Sequence, residues 1–340
     1  MRAGRARRVL ILLAAVLVLG GVALGAVLHA AGRAADEGRE RAGAPRVRPG
    51  AVVLGAAGRG VFRNMAWGPH RDEIVSVDAR DPAGPRTASG VRCLRFHAAG
   101  GTAVCLRSVR RGLRDTYRAV VLDARLRERG RYELAGVPSR VRVAPGGRVA
   151  AWTVFVNGDA YAGGSFSTRT SVLDVRSGAL DRNIETYRFV LDGRPRRPAD
   201  LNVWGVTFAD DDRFYATAAT GGRTYLVAGD RATRTLRSVH ANVECPSLSP
   251  DGTRVAYKKR VAGPSSDAPW RLYVLDLRSG RETATAERRS VDDQAVWRDP
   301  RTLVYSLPGD YGSDLWTVPA DGSGAPRVLT EAALAPVFGP

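Results

Sequence analysis

The stretch 245–257, C-P-S-L-S-P-D-G-T-R-V-A-Y, limits what this chain can fold into more than any other. It reads as strand, tight turn, strand. Pro250 pre-sets φ for the first central turn position, Asp251 suits the second, and Gly252 supplies the positive φ at which the chain re-enters a strand. Five echoes recur. Pro69-His70-Arg71 precedes Ile74 and Val75, and Ala99-Gly100-Gly101 precedes Val104. Pro145-Gly146-Gly147 precedes Ala150 and Trp152, Asp210-Asp211-Asp212 precedes Phe214 and Tyr215, and Arg298-Asp299-Pro300 precedes Leu303 and Tyr305. Trp152 and Tyr257 stand at the same offset from their prolines, and Tyr305 falls in register.

A second element follows most of these turns: L-Y-V-L-D-L-R-S-G at 272–280 and T-S-V-L-D-V-R-S-G at 170–178, with weaker copies at 117–123, 224–229 and 315–320. Each is a strand, then a turn rich in Asp, Ser and Gly, then a fourth short strand. Four strands repeated roughly every 40–50 residues mark a β-propeller blade. Six turn units predict an all-β, six-bladed propeller over 51–340. A lone four-stranded sheet cannot cover both apolar faces, whereas radial stacking covers them and leaves few exposed edges. Ring closure has two candidates, the A-V-V-L strand at 51–54, which is preferred, and the tail near 336–338.

The N-terminus is of another kind. A basic start at 1–8 (Arg2, Arg5, Arg7, Arg8) precedes an uncharged apolar run at 9–28. About 20 residues at ~1.5 Å rise span ~30 Å, a bilayer's hydrocarbon thickness. Signal peptides have shorter apolar cores, so 9–29 reads as a single-pass anchor, with cleavage near His29-Ala30-Ala31 and secretion as the alternative. The basic start places the N-terminus inside and the propeller outside the cytoplasmic membrane. Residues 30–50, rich in Arg, Glu, Ala, Gly and Pro, read as a flexible tether.

At these residues the chain resembles a known family. S-P-D-G-T-R-V-A-Y followed by L-Y-V-L-D-L-R-S-G is similar to the TolB-like, WD-like propeller repeat, closely over 243–288, well over 138–185 and more loosely elsewhere. With the apolar segment, the chain looks like an actinobacterial membrane-anchored TolB-like protein from Val61 onward. The resemblance is specific for fold and poor for function, because propellers host binding proteins, hydrolases and lyases alike. In TolB the propeller is a protein-interaction scaffold with an extra N-terminal domain. The chain has no room for that domain, so TolB's partner does not carry over.

The formal net charge of +18 suggests an anionic partner. Its basic residues are arginines apart from Lys258 and Lys259, spread with Ala and Gly as a GC-rich coding sequence would spread them. No nucleic-acid motif or compact basic tract is present, so nucleic acid is not expected as a partner. No catalytic, cofactor or metal residues are assigned. The nearest match to a serine-hydrolase elbow, Gly163-Gly164-Ser165-Phe166-Ser167, lacks the second glycine, and the chain ends before a hydrolase domain would fit. His29, His70, His97 and His240 are scattered, Asp210–Asp212 falls on a turn, and Asp292 and Asp293 read as a solvated blade connection. Cys93 and Cys105 flank Gly100-Gly101 on one hairpin, where a loop centred on Ala99 sets them opposite each other. Two readings stay open there, a disulfide or two thiols packed between blades.

The loops from second to third strands, at 107–116, 157–168, 218–222, 258–269 and 307–314, emerge on one side. They predict a rim of Arg107, Arg110, Arg111, Arg114, Tyr161, Lys258, Lys259, Arg260 and Tyr311, with Phe166 and Trp270 beside it. Such loops over a rigid ring are where scaffolds place recognition. The expected function is a non-enzymatic, membrane-tethered extracytoplasmic scaffold binding an acidic protein or anionic envelope component. The alternatives are a propeller hydrolase or lyase and an envelope ligand sensor.

Overall fold

The computed structural model describes the backbone of residues 2–338 except 41, 42, 112, 113, 159, 160, 162–165 and 264–266, and the side chains of 2–9, 33–37, 110, 111 and 114 also lie outside it. Helix α1, Arg2–Glu37, contains an apolar span from Leu10 to Gly32 with mean hydropathy 2.8 and none of it buried. Its length and composition fit either a membrane anchor or a signal sequence. The helix continues to Glu37, and Val47–Pro49 pairs in parallel with the strand Arg86–Arg92, so both ends of the stretch read as a flexible tether carry regular structure.

The remainder is a six-bladed propeller. Blade 2 is built from Arg95–Ala99, Thr102–Arg111, Arg114–Leu122 and Glu128–Glu133. Blade 3 follows with Val137–Val143, Val149–Asn157, Ser167–Asp174 and Leu180–Asp181. Blade 4 runs Asn202–Phe208, Arg213–Thr220, Arg223–Asp230 and Thr235–Ala241, and Arg188–Leu191 with Arg194–Arg196 extends its outer edge to six strands. Blade 5 is Glu244–Leu248, Arg254–Arg260, Trp270–Asp276 and Glu282–Ala284, and blade 6 is Val296–Asp299, Thr302–Leu307, Asp314–Pro319 and Arg327–Thr330.

Blade 1 closes the ring. Its inner strand is Ala333–Phe338 from the C-terminal end, paired with Arg59–Asn64, then Glu73–Asp78, Arg86–Arg92 and Val47–Pro49. This corrects the preferred closure. Residues 51–54 form no strand; Val52 and Leu54 instead bury their side chains, and the Leu54 N–H donates to the Ala124 carbonyl at 2.8 Å. It also means that the Pro69 turn joins the second and third strands of its blade, not the first and second as its counterparts do.

The six first strands touch in succession around the ring, so they line a central channel. An apolar cluster fills the gap between each pair of neighbouring blades. Val104, Leu106 and Val121 of blade 2 meet Ala150, Trp152 and Leu173 of blade 3, and Ala256, Leu272 and Val274 of blade 5 meet Leu303, Tyr305 and Val318 of blade 6. Trp152, Tyr257 and Tyr305, aligned by the repeat, are all buried. Each such aromatic contributes on the order of 2–3 kcal/mol by leaving water.

The turn after every third strand has the same chemistry. Asp78, Asp123, Asp174, Asp230, Asp276 and Asp321 each accept a backbone N–H two or three residues ahead, at 2.7 to 2.9 Å. A short carboxylate that can bond its own backbone stabilises such a turn.

Candidate functional site: the basic mouth of the channel

Side chains alternate along a strand, so residues two apart share a face. R-F-H at 95–97 and R-V-R at 140–142 lie on the inner strands of blades 2 and 3. Arg95, His97, Arg140 and Arg142 accordingly border one cavity of about 370 Å³, together with Arg63, Asp292 and Asp293. It opens on the side where second strands pass to third, next to Ser306, Pro308 and Ser313 of blade 6. A cavity of about 940 Å³ opens among the inner turns, including Pro145, Ser249, Pro250 and Gly252. His97, Arg142, Val296 and Pro336 border both and form the waist between them. On the far wall, blades 4 and 5 approach closely: a Cβ on Gly205, whose φ is +65°, would lie 2.8 Å from the Cα of Cys245.

The arginines differ in their partners. Arg63 is paired with Asp72 at 2.6 Å and donates to the Leu94 carbonyl at 2.7 Å. Arg140 donates to the carbonyls of Ser139 and Asp292, both at 3.1 Å, and stands 3.7 Å from the Asp292 carboxylate. Arg95 donates from Nε to the Ser139 carbonyl at 2.7 Å. Arg142 has one long contact, 3.5 Å to the Ala295 carbonyl; its Nε has no partner, and the residue is only 8% exposed. Among the described residues, neither Arg95 nor Arg142 forms an ion pair. Burial lowers both from 12.5 to about 10; Arg140 pushes down and Asp293 pulls upward, each by less than burial, so both stay protonated at neutral pH.

The acids are committed elsewhere. Asp293 accepts from Ser306 N–H at 3.2 Å and Ser306 Oγ at 2.7 Å. Asp292 accepts from Lys258 Nζ at 2.5 Å. Burial alone would raise Asp292, but Lys258 and then Arg140 outweigh it and hold the carboxyl below its ordinary range. His97 Nδ1 accepts the Val143 N–H at 3.1 Å, which assigns the ring proton to Nε2. Burial, followed by Arg142, drives His97 well below 6.5, so it is neutral. The mouth is therefore a wall of cations with more positive charge than its carboxylates answer.

The predicted rim is distributed differently. Lys258 is fully buried, 3.9 Å above the Trp270 ring and paired with Asp292, because alternation along Arg254–Arg260 turns it inward. Tyr161 is buried too, stacked on Trp204 at 5.0 Å and bonded to Ser139 Oγ at 2.5 Å. Arg260 pairs with the buried Glu244 at 2.7 Å and donates to the Tyr161 carbonyl at 2.8 Å. Lys259 joins Tyr257 and His240 on the Glu282 carboxylate. Phe166 and Trp270 belong to the aromatic cluster around Tyr161. Arg107 lies within a strand and pairs with Glu128 at 3.2 Å, and Tyr311 is half-buried in the loop after Thr302–Leu307. The side chains of Arg110, Arg111 and Arg114 lie outside the described residues; their backbones extend the hairpin, so most of 107–116 is strand rather than loop. Lys259 and Arg260 thus pair with acids of blade 5 itself, Lys258 reaches the connection to blade 6, and among the described residues the three form no continuous solvated patch.

Asp292 and Asp293, expected as a solvated connection, bind Lys258 and Ser306, and Arg95, Arg140 and Arg142 lie outside the expected rim. The available signal was the R-x-H and R-x-R spacing immediately before two inner turns. Asp210, on the acidic turn, accepts the Asp212 and Arg213 N–H groups and pairs with Arg213 at 2.6 Å. Among the described residues, no group of three or more His, Cys, Asp or Glu converges as a metal site would. The Sγ atoms of Cys93 and Cys105 stand at bonding distance, 2.08 Å, with Cα atoms 5.3 Å apart. The pairing differs from the expected one: the loop is the two residues Gly100-Gly101, Cys105 lies opposite Phe96, and Cys93 precedes the strand.

No protein-family model matches the chain, and no curated protein matches it in sequence. Solved structures do. TolB from Acinetobacter baumannii superposes with a TM-score of 0.56 at 17% identity, over 83% of this chain and 66% of that one. A puromycin-hydrolyzing peptidase of Mycobacterium tuberculosis gives 0.48 at 17% identity, over 81% of this chain and 44% of that one. A putative TolB from Agrobacterium tumefaciens gives 0.41 at 10% identity, over 83% and 89%. The chain spans just under two thirds of the length of the A. baumannii protein and under half of the peptidase. At these identities the likeness is one of fold, and the fold is a TolB-like β-propeller.

Proposed function

We propose that this protein is a non-enzymatic binding scaffold, held on the outer side of the cytoplasmic membrane by the helix that contains Leu10–Gly32. Its working surface is the channel mouth bordered by Arg95, Arg140 and Arg142, and its partner is an acidic protein or an anionic envelope component. The observation that carries this reading is the convergence of three cations, two without ion pairs among the described residues, in one open cavity. A mouth with a surplus of one sign and low-dielectric walls focuses the field outward and attracts the opposite charge. The rigid ring supplies the fixed geometry that recognition needs. Charge capture does not itself require a reactive group at the mouth.

Two measurements test the reading. An Ala232→Cys variant places a thiol on an exposed turn of blade 4. In intact cells a membrane-impermeant maleimide should label it; labelling only after lysis sinks the proposed orientation. A photo-crosslinking residue at Pro308, beside the mouth, should then yield a partner adduct that one at Gly252, among the opposite turns, does not. Adducts from Gly252 alone would move the working face to the other end of the channel.

A further inference from the structure

We propose that the channel mouth contains a discrete oxyanion subsite, in which Arg142 and Arg95 bind a carboxylate or phosphate group and Arg140 and His97 border it. This deepens the binding reading above by naming the chemistry recognised at that mouth.

The argument starts from cost. A guanidinium taken out of water needs a counter-charge or a full set of acceptors, and leaving it short is expensive. Arg86, the most buried arginine among the described residues, shows what protein alone can supply. It is 1% exposed and donates to Asn64 Oδ1, Thr330 Oγ1 and the carbonyls of Glu331 and Ala332, at 2.5 to 3.1 Å. Arg142 has only its 3.5 Å contact, yet it is 8% exposed and borders a cavity on each side. Both arginines leave a buried Nε without a partner, but Arg86 spends its terminal nitrogens on four protein acceptors, whereas Arg142 spends its own on one long contact at the edge of two cavities.

The surroundings select an anion. Arg95 brings a second cation whose hydrogen bonds go only to backbone carbonyls, those of Ser139 at 2.7 Å and Leu94 at 3.4 Å. His97 has its Nδ1 occupied by the Val143 N–H, so its Nε2 carries the proton and can donate to an acceptor. Of the two aspartates, Asp292 is shared by Lys258 and Arg140, and Asp293, bonded to Ser306, is one negative charge acting on both Arg95 and Arg142. The cavity's volume, about 370 Å³, admits a small oxyanion or the acidic end of a larger ligand. The planar fork of arginine matches two oxygens of a carboxylate or phosphate, which a point charge cannot do.

The test uses the full-length chain in non-ionic detergent, with calorimetric titration of sodium acetate and, separately, sodium phosphate against a sodium chloride reference. The expected result is saturable binding of at least one oxyanion, with a dissociation constant of about 1 mM or tighter. The two arms decide which oxyanion the site prefers. Arg142→Gln should weaken binding roughly tenfold or more, the loss of one charge-assisted pair. Arg107→Gln, which removes a cation from the Glu128 pair, should leave binding unchanged. If Arg142→Gln fails to fold, Arg142→Lys and Arg95→Gln decide the matter: both should weaken binding, the first because a lysine lacks the fork. No saturable binding to the wild-type chain, or equal binding by folded Arg142 and Arg95 variants, overturns the subsite. Because this titration needs neither membrane nor partner, oxyanion binding without a Pro308 adduct would sink the scaffold reading alone.

Discussion

Blades 5 and 1 solve the same problem by opposite means. Blade 5 is one continuous stretch, Glu244 to Ala284, whose strands pair in the order in which they occur. Its two principal turns are set by Asp251, which accepts from Ser249 Oγ and from the N–H and Oγ of Thr253, and by Asp276, which accepts from the N–H groups of Arg278 and Ser279. Blade 1 takes its inner strand, Ala333–Phe338, from the far end of the chain. No tight turn fixes that register. Instead Arg86 reaches across to Thr330, Glu331 and Ala332, about 245 residues away, while its guanidinium lies 4.9 Å over the Phe62 ring. The difference teaches that local pairing is specified by turn chemistry, whereas closure is specified by a buried long-range network. Such closure carries a large loop entropy that only tertiary contacts offset.

The largest effect should therefore follow from breaking the closure. Arg86→Met removes donors from two carbonyls, an amide oxygen and a hydroxyl in a buried setting, and leaving several such acceptors short, at about 1–3 kcal/mol for each one left unsatisfied, costs well over 1 kcal/mol in total. Arg254→Met is the matching change in blade 5, where the arginine contacts Asp251 at 3.5 Å and the Pro300 carbonyl at 2.7 Å near the surface. That loss should stay below about 1 kcal/mol. Urea unfolding of the two variants gives the comparison, and equal losses would show that closure has no special role.

Next comes the cysteine pair. Cys93 follows the strand Arg86–Arg92 of blade 1, and Cys105 lies in the second strand of blade 2, so a bond between them ties the closing blade to its neighbour. Cys93→Ala with Cys105→Ala should lower stability by about 2–3 kcal/mol under oxidising conditions, as expected for a loop of this length. The double variant and the reduced wild type should then unfold alike. Thiol counting on non-reduced, denatured protein should find Cys245 alone; three reactive thiols would remove the staple from the account.

The same contrast explains what could be read from the chain. The six turns, the blade length and the buried register of Trp152, Tyr257 and Tyr305 were legible because each depends on residues within one blade. Closure was legible only as a choice in which the tail near 336–338 stood second, since A-L-A-P-V-F carries no turn signal and its pairing partner lies at the other end of the chain. The segment 51–54 looked like a better strand, but it buries Val52 and Leu54 without pairing. The candidate site failed for a related reason. Lys258-Lys259-Arg260 looks like an exposed basic patch in sequence, and only tertiary placement shows Asp292, Glu282 and Glu244 meeting those three charges in turn. Arg95 and Arg142 are set apart by a shortage of partners, which no single strand reveals.

The smallest effect separates the two blades by acid. In blade 5, hydroxyl and backbone N–H groups of Ser249 and Thr253 hold Asp251 below its ordinary range, and the backbone N–H of Ser279, with its hydroxyl, does the same for Asp276. A carboxyl depressed in the folded state stabilises above its unfolded value, near pH 4, and loses that contribution as pH falls through the folded value. The acceptors of Arg86 are carbonyl, amide and hydroxyl groups, none of which titrates between pH 5 and pH 2, and a carboxylate bonded beside them, that of Asp314, accepts the Ala332 N–H at 2.8 Å. Acid should therefore loosen the turns of blade 5 while the Arg86 contacts persist. Hydrogen exchange, corrected for its intrinsic pH dependence, should show protection falling at the Ser279 amide as pH drops below about 4, and at the Thr253 amide only at still lower pH. In Asp276→Asn the Ser279 amide should begin less protected and change less over that window. A loss of protection that starts at Ala333, whose N–H donates to the Ser313 carbonyl at 2.9 Å, would place the acid-sensitive joint at the closure and reverse the comparison.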